Sequence, residues 1–413
     1  MKKAGIILLV LLVGFSTVWA AGTQETKAVP QTEINVFYYK DTVVDGMNAL
    51  ASAFMAENPT IAVKNEMLTT EFNTVLSSRY AAGQLPELWA AQPGETALKP
   101  YIDAKAIQKV NDVKVLQELS DDFKRSITFS DGNIYVIPLL STARGIIYNK
   151  ELFKKVGFDE FPNTLDGLKE ACRRLKAQGI IPFAVSGAEG WAVGSLPYQV
   201  GHEIFASADF FERMDAGTAS HTEVREVFNF IDVFRDNAQP RFMDTDFMGS
   251  VSLYAQERAA MIFQGPWAAD AMMDLAPEVV AKSAMAGAPY TNDPDRNLLY
   301  IDYDMYFAVS SKADLAAVDA YFDFIVNGNG RKIFSEQVKS LNPYGIPFKT
   351  HAVNQSILDL SAKGLTIGDL QYANAPDGWW QNQGVAMQEY LGGQITKDQM
   401  LAKLDRDWAA AIR

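Results

Sequence analysis

Residues 145–183, GIIYNKELFKKVGFDEFPNTLDGLKEACRRLKAQGIIPF, constrain the fold more than any other stretch of this chain. Gly145, Ile146, Ile147 and Tyr148 form a short apolar run with β-branched residues, which suits a buried strand. Asn149 has the short acceptor side chain of a helix N-cap, and Gly157 stands where that helix would stop. Pro162 then breaks the chain, and Asn163 or Thr164 can cap a second helix. Leu165, Leu168, Cys172 and Leu175 follow helical spacing on its apolar face, and Gly179 ends it. Residues 180–183 begin the next strand. A chain that alternates strand and helix in this way needs a sheet covered by helices.

The N-terminal part repeats the alternation. Residues 34–39 read as a strand, and Met47, Leu50, Ala51 and Phe54 give an amphipathic helix that stops before Pro59. Residues 61–67 alternate like a strand. Phe72, Val75, Leu76 and Tyr80 mark a second helix ended by Gly83, and residues 88–90 form the next strand. The β-α-β-α-β order argues for a mostly parallel sheet. Further along, the pattern predicts one long helix over about 222–238, a strand over 261–267 and a strand over 300–309. Helices are expected through Leu315, Val318, Phe322 and Ile325 and over 379–390. At 413 residues the chain is long enough for two domains with cores of their own.

The first 21 residues read as a leader. Lys2 and Lys3 supply its positive end, residues 6–13 are unbroken apolar sequence, and cleavage is expected near Ala20 or Ala21. The run is short for a membrane-spanning helix. Cys172 is the only cysteine, so no lipid-bearing cysteine stands at the cleavage site and no intrachain disulfide can form. That pattern implies a periplasmic protein, with residues 22–32 as a flexible spacer. The formal net charge of −13 disfavours nucleic acid and anionic lipid as partners.

An enzyme should leave marks that this chain lacks. His202, His221 and His351 form no HExxH or similar paired spacing, and no GxSxG, SxxK, GxGxxG or Walker-A loop occurs. Acid pairs such as Asp302 and Asp304 leave a glycosidase reading open. Several tryptophans sit at breaks rather than in periodic stripes: Trp191 after Gly190, Trp267 after Gly265 and Pro266, Trp379 and Trp380 after Gly378. A tryptophan at a turn can line a cleft or plug a loop into a core. Flat aromatics beside planar hydrogen-bonding side chains suit a sugar, which has apolar C–H faces and hydroxyl edges.

Four segments together resemble the extracellular solute-binding proteins of sugar ABC transporters, family 1, in their maltose- and oligosaccharide-binding branch. They are the 145–183 block, GQLPELW at 83–89, ERAAMIFQGPW at 257–267 and YLGGQIT at 390–396. The resemblance covers roughly residues 34–413. It implies an α/β, two-lobed periplasmic-binding-protein fold (type II, maltose-binding-protein-like) with a ligand cleft between the lobes. Residues 33–142 plus 304–344 would form the N-terminal lobe and residues 143–303 plus 345–413 the C-terminal lobe, with a third crossing at 342–347.

Matching residue by residue, the resemblance implies ligand contacts from Trp89 and Gln92 after the first-lobe proline turn. Tyr39 and Asp41 would contribute at the end of the first strand, and Thr142 and Arg144 at the first crossing. Glu189 and Trp191 match a second-lobe loop that faces ligand. Trp267 and one of Trp379 or Trp380 match sugar-stacking positions. Asp302 and Asp304 stand at the second crossing and Tyr344 at the third. Gln92 and Thr142 replace acids of the maltose type, so the sugar is expected to differ from maltose. The implied activity is binding of a neutral sugar or oligosaccharide and delivery to the permease subunits of an inner-membrane ABC transporter. The chain is expected to act as a monomer, with no catalysis, no cofactor, no metal and no nucleic acid. A cationic ligand such as a polyamine, clamped by Asp41, Glu189, Asp302 and Asp304, stays open, as does handover to a chemoreceptor.

Overall fold

A computed structural model describes residues 32–91, 95–129, 131–207, 210–368, 376 and 379–412. The expected leader lies outside the described residues, as does the spacer up to residue 31. Thr32 already belongs to the first strand. Among the described residues, nine strands form one continuous network: β1 (Thr32–Tyr38), β2 (Ile61–Met67), β3 (Leu88–Ala91), β4 (Val136–Asn149), β5 (Ile181–Ala184), β6 (Ala259–Gln264), β7 (Ser283–Ala286), β8 (Leu299–Val309) and β9 (Thr366–Gly368). β1 runs parallel to both β2 and β3, with helices Val44–Glu57 and Phe72–Ala81 as the crossovers.

β4 is shared between the two lobes. Its residues 136–144 pair with β8, and its residues 145–149 pair with β6 and β7. β8 runs back beside it, pairing with β3 at residues 306–309 and with β9 at residues 299–301. The order therefore reads β2-β1-β3-β8-β4-β6-β5. The β4–β8 register slips between Pro138 and Ser141. Pro138 has no N–H to give a ladder, so the regular pairing is interrupted a few residues before the chain passes from one lobe to the other at residues 144–145.

The apolar residues sort into separate cores on either side of this passage. Ile34, Phe37, Leu50, Phe54, Ile137, Phe307 and Phe322 belong to the first. The second lobe buries both faces of its sheet. Ile146, Met261 and Phe263 turn to one face, towards Leu168, Cys172 and Leu175. Ile147, Ile262 and Met285 turn to the other, towards Tyr254, Met272 and Val353. Successive side chains on a strand point to opposite faces, so a strand covered on both sides reads as an unbroken apolar run. The third crossing is irregular. Leu341 packs into the second lobe, while Tyr344 and Ile346 pack into the first. Tyr344 Oη donates to the Pro138 carbonyl at 2.7 Å, and Ser141 N donates to the Leu341 carbonyl at 2.9 Å.

Local signals in the 145–183 block act as their chemistry dictates. Asn149 Oδ1 accepts from Glu151 N at 3.0 Å and from Leu152 N, opening helix Lys150–Lys155. Thr164 Oγ1 accepts from Gly167 N at 3.2 Å and caps helix Leu165–Ala177. Gly157 (φ 84°) and Gly179 (φ 71°) take the left-handed conformation that ends each helix. Burial pushes the Cys172 thiol up to about 12, so it stays a protonated packing residue.

The expected long helix over 222–238 is corrected. Residues His221–Val227 form tight 3-10 turns, and only Phe228–Asp236 is α-helical. His221, Val224 and Val227 are all buried, and their three-residue spacing matches the 3-10 period. The start of this segment is tied to helix Lys397–Ala411 through Asp405. The carboxylate accepts from Ser220 Oγ, from His221 N and from His221 Nδ1, each at 2.7 Å. His221 Nε2 lies 2.6 Å from Tyr198 Oη, and a neutral ring that gives its Nδ1–H to Asp405 can accept there from the phenol.

Burial pushes the His221 imidazole down, against the pull of Asp405. Burial alone would raise the Asp405 carboxyl, but the His221 and Ser220 hydrogen bonds overcome it and hold it below the ordinary range. A histidine whose folded pKa lies below its unfolded value of about 6.5 contributes stability fully above that pH. The contribution is lost as pH falls below it, because the unfolded chain takes up the proton first. Melting temperature is therefore expected to drop between pH 7 and pH 5, and less steeply in His221→Gln. Superimposable pH profiles for the two proteins in thermal melts would refute this.

Candidate functional site

The C-terminal end of β1, the crossing strands and the second lobe converge on a cavity of about 260 Å3. Lys40 and Thr42 enter from the segment after β1. Ser141 and Thr142 come from β4, and Asp304 from β8. Residues 337–341 form a further wall. The second lobe supplies Trp267 and Asp270 from helix Trp267–Met273 and Asn354 from helix Ala352–Ala362. Ligand sites in open α/β folds form at the carboxyl ends of parallel strands, where the chain diverges into loops. Gly46 makes room for the 337–341 wall: a Cβ there would lie 2.8 Å from Val338 N.

The charged residues of the first lobe are tied to one another. The Lys40 ammonium pairs with the Asp304 carboxylate, and Tyr39 Oη donates to the Asp304 carbonyl at 2.7 Å. Burial, with Asp304 and Asp302 close by, pushes the Tyr39 phenol up, so it remains a donor. Asp302 turns back on its own strand, accepting from Tyr300 Oη at 2.9 Å and from Tyr303 N at 2.7 Å. In the second lobe, Glu189 Oε2 accepts from Phe247 N at 2.7 Å, one of the donors left open at the start of helix Phe247–Ala255.

Two tryptophans flank Arg144. Its guanidinium carbon lies 5.7 Å from the Trp191 ring centre and 5.5 Å from that of Trp267. Arg144 Nη2 donates to the Ala192 carbonyl at 2.8 Å. This cation on two indole faces ties the crossing strand to the loop that carries Trp191. Trp191 is 50% exposed and leans on Phe247 with ring centres 5.6 Å apart. The Trp267 ring lies directly over Gly265. Its indole Nε1 is sealed from solvent without a hydrogen-bond partner among the described residues, and so is Asn354 Oδ1. Both side chains line the cavity.

Of the expected contacts, Thr142, Trp267 and Asp304 line the cavity. Tyr39 and Arg144 touch the lining residues Asp304 and Trp267, Trp191 touches Arg144, and Glu189 and Asp302 are turned to other partners. Asp41 is exposed and opens the short turn Asp41–Val43. Gln92 and the Trp380 side chain lie outside the described residues. Three expectations are corrected by burial. Trp89 is fully buried on β3, which has β1 on one side and β8 on the other, and it packs against Tyr101. Trp379 is fully buried among Tyr198, His221 and Trp408. Tyr344 spends its hydroxyl on the Pro138 carbonyl and braces the third crossing. Lys40, Ser141, Asp270 and Asn354 were not expected. Lys40 was the most accessible of these, because it directly precedes Asp41 at the end of a parallel strand.

A family profile for bacterial extracellular solute-binding proteins matches residues 40–353. The chain belongs to that family. Among its relatives, the multiple sugar-binding protein of Streptococcus mutans serotype c is 25% identical over 289 residues, covering 67% of each chain. The structure of apo RafE from Streptococcus pneumoniae is similar, with a TM-score of 0.76 and 17% identity, over 93% of this chain and 99% of that one. A sugar transporter from Bacillus licheniformis, solved in complex with stachyose, gives a TM-score of 0.69 and 17% identity, over 92% and 100% of the two chains. These structures establish the two-lobed solute-binding fold.

Within this solute-binding protein the histidines are dispersed. His202 Nε2 bonds the Gly368 carbonyl at 2.7 Å, His221 is buried against Asp405, and His351 Nε2 meets Asp270 Oδ1 at 3.1 Å. No group of three or more His, Cys, Asp or Glu side chains among the described residues is arranged to hold a metal ion. No helix among them is long and apolar enough to cross a membrane.

Proposed function

We propose that this chain is the periplasmic substrate-binding component of an ABC-type carbohydrate importer. It binds a neutral sugar or oligosaccharide between its lobes and hands it, as a monomer, to the permease subunits in the inner membrane. It carries out no chemistry on the sugar. The observation that carries this reading is the cavity at the crossing strands, where the Trp267 side chain stands beside Ser141, Thr142, Asp270 and Asn354. A sugar hydroxyl is both donor and acceptor and can pair with such polar groups, while the indole meets its apolar face. The sugars named for the relatives point the same way.

Three of the four acids that would have clamped a polyamine are engaged elsewhere, and the fourth, Asp41, is exposed and does not line the cavity, which weighs against a cationic ligand. Asp304 pairs with Lys40, Asp302 accepts from Tyr300 and Tyr303, and Glu189 accepts from Phe247. The same contacts leave Asp302 and Asp304 poorly placed as a glycosidase pair. A thermal-shift screen of the mature protein against mono- and oligosaccharides, with polyamines alongside, tests the proposal. Stabilisation by a sugar is expected, since a ligand that binds only the folded state raises the melting temperature. Stabilisation by polyamines with sugars silent would overturn it.

Gly265 offers a finer test. A Cβ at this position would sit 2.0 Å from Trp267 Cζ3, so the indole must move. Gly265→Ala is expected to weaken sugar binding roughly tenfold, or about 1.4 kcal/mol. Titration calorimetry with the best sugar from the screen checks this, and an unchanged Kd would count against Trp267 as a platform.

A further inference from the structure

We propose that Asn354 is a specificity-determining residue of the cavity, reading a free hydroxyl on the bound sugar. The inference rests on the sugar reading above and adds the chemistry of one contact. Asn354 is only 7% exposed, yet it lines the cavity and its Oδ1 has no hydrogen-bond partner among the described residues. Buried amides are nearly always paired, and this one is sealed in the present conformation, so a ligand meets its oxygen when the amide turns into the cavity that the residue lines.

The residue is held in place from behind. Its backbone N–H donates to His351 Nδ1 at 3.2 Å, which leaves the ring proton on Nε2. That Nε2 faces Asp270 Oδ1 at 3.1 Å, and Asp270 lines the same cavity. His351 thus joins the two acceptors of this wall and fixes the start of helix Ala352–Ala362, where it is the N-cap. Trp267, from the helix that also carries Asp270, adds an indole N–H without a partner. The wall therefore offers acceptors at Asn354 and Asp270 and a donor at Trp267. A hydroxyl matches that set. A deoxy or O-methyl position does not, because it leaves the Asn354 oxygen unpaired. Sites built this way discriminate strongly against analogues that lack the matching hydroxyl.

Two variants test the assignment, Asn354→Leu and Asn354→Asp, with stachyose as the probe. Leucine has similar size and removes the unpaired acceptor, so the ligand-free variant is expected to melt at or above wild type while stachyose binds at least about 30-fold more weakly. Aspartate keeps an acceptor in the same place and is expected to bind within about tenfold of wild type. A leucine variant that melts lower and binds stachyose as wild type does would assign Asn354 to structure and overturn the proposal. If the leucine variant does not fold, the aspartate variant decides: retained binding supports the acceptor role, and lost binding with normal melting refutes it. If wild type itself ignores stachyose and every other sugar, the sugar reading fails. The ligand-free melts still judge Asn354 in that case: unchanged or raised melting keeps it as a contact for some other hydroxyl-bearing ligand, and lowered melting removes it.

Discussion

Replacing Trp267 with alanine is expected to weaken oligosaccharide binding by about 2 kcal/mol, roughly 30-fold in Kd, and to leave the protein folded. The argument rests on where the indole stands. Trp267 opens helix Trp267–Met273 immediately after the Gly265-Pro266 turn, lines the cavity and is only partly buried against the second-lobe core. Truncation removes both an apolar face for the sugar and the unpartnered N–H. It also strips Arg144 of one of its two aromatic neighbours. Core packing loses less than it would at a fully buried tryptophan, so the melting temperature of the ligand-free protein should move by only a few degrees. Titration calorimetry separates the two effects. A wild-type Kd in the alanine variant would exclude Trp267 as a ligand platform.

What could be read in the sequence divides by the range of the interactions involved. Asn149, Thr164, Gly157 and Gly179 act on backbone groups within a few residues, and their roles follow from local chemistry. The parallel pairing of β1 with β2 and β3 follows from the alternation of strand and helix. The 3-10 segment was missed because a three-residue and a 3.6-residue period hardly differ over two turns. Tryptophans were the hardest to place. Trp89, Trp267 and Trp379 all stand at strand ends or after Gly and Pro, so their neighbours in sequence do not distinguish them. Their fates are decided at long range: Trp89 by β8 closing over β3, Trp379 by helix Lys397–Ala411 bringing Trp408 against it. Asn354 and residues 337–341 were silent for the same reason. They become cavity walls only when the third crossing folds back over β4, through Leu341 and Tyr344.

The strand that joins the lobes shares residues with the site, which bears on how binding would be transmitted. Arg144 pairs with Tyr300 of β8, and Gly145, next along the strand, pairs with Gln264 of β6. The guanidinium that meets Trp191 and Trp267 therefore belongs to the residue at which β4 changes partner. Ser141 and Thr142, on the same strand, line the cavity beside the slipped register. A sugar held there would touch the strand about which the lobes would rotate, so occupancy and lobe angle would be linked through direct contacts, as hinge closure around a ligand requires.

Replacing Trp379 with alanine should have the opposite signature from Trp267: a large loss of stability and little change in the affinity of the folded protein. Trp379 is fully buried at the start of helix Trp379–Leu391. It meets Tyr198 edge-on with ring centres 5.1 Å apart, stacks on His221 at 5.9 Å and meets Trp408 edge-on at 5.1 Å. Trp408 in turn donates its Nε1–H to Asp215 at 3.0 Å and stacks on Phe211. Truncating a buried tryptophan costs about 3–5 kcal/mol, a large share of the 5–15 kcal/mol by which domains are stable. The cavity also opens beside His221, whose neutral form depends on dry surroundings, so the tie between Asp405 and the 220–227 segment weakens with it. A fall in melting temperature of roughly 10 °C is expected. At a temperature where the variant is still folded, its sugar affinity should stay within about twofold of wild type, because Trp379, Tyr198, His221 and Trp408 are not among the residues that line the cavity. Trp379→Phe should recover part of the lost stability. An alanine variant that melts normally and fails to bind sugar would return Trp379 to the cleft and displace it from the core.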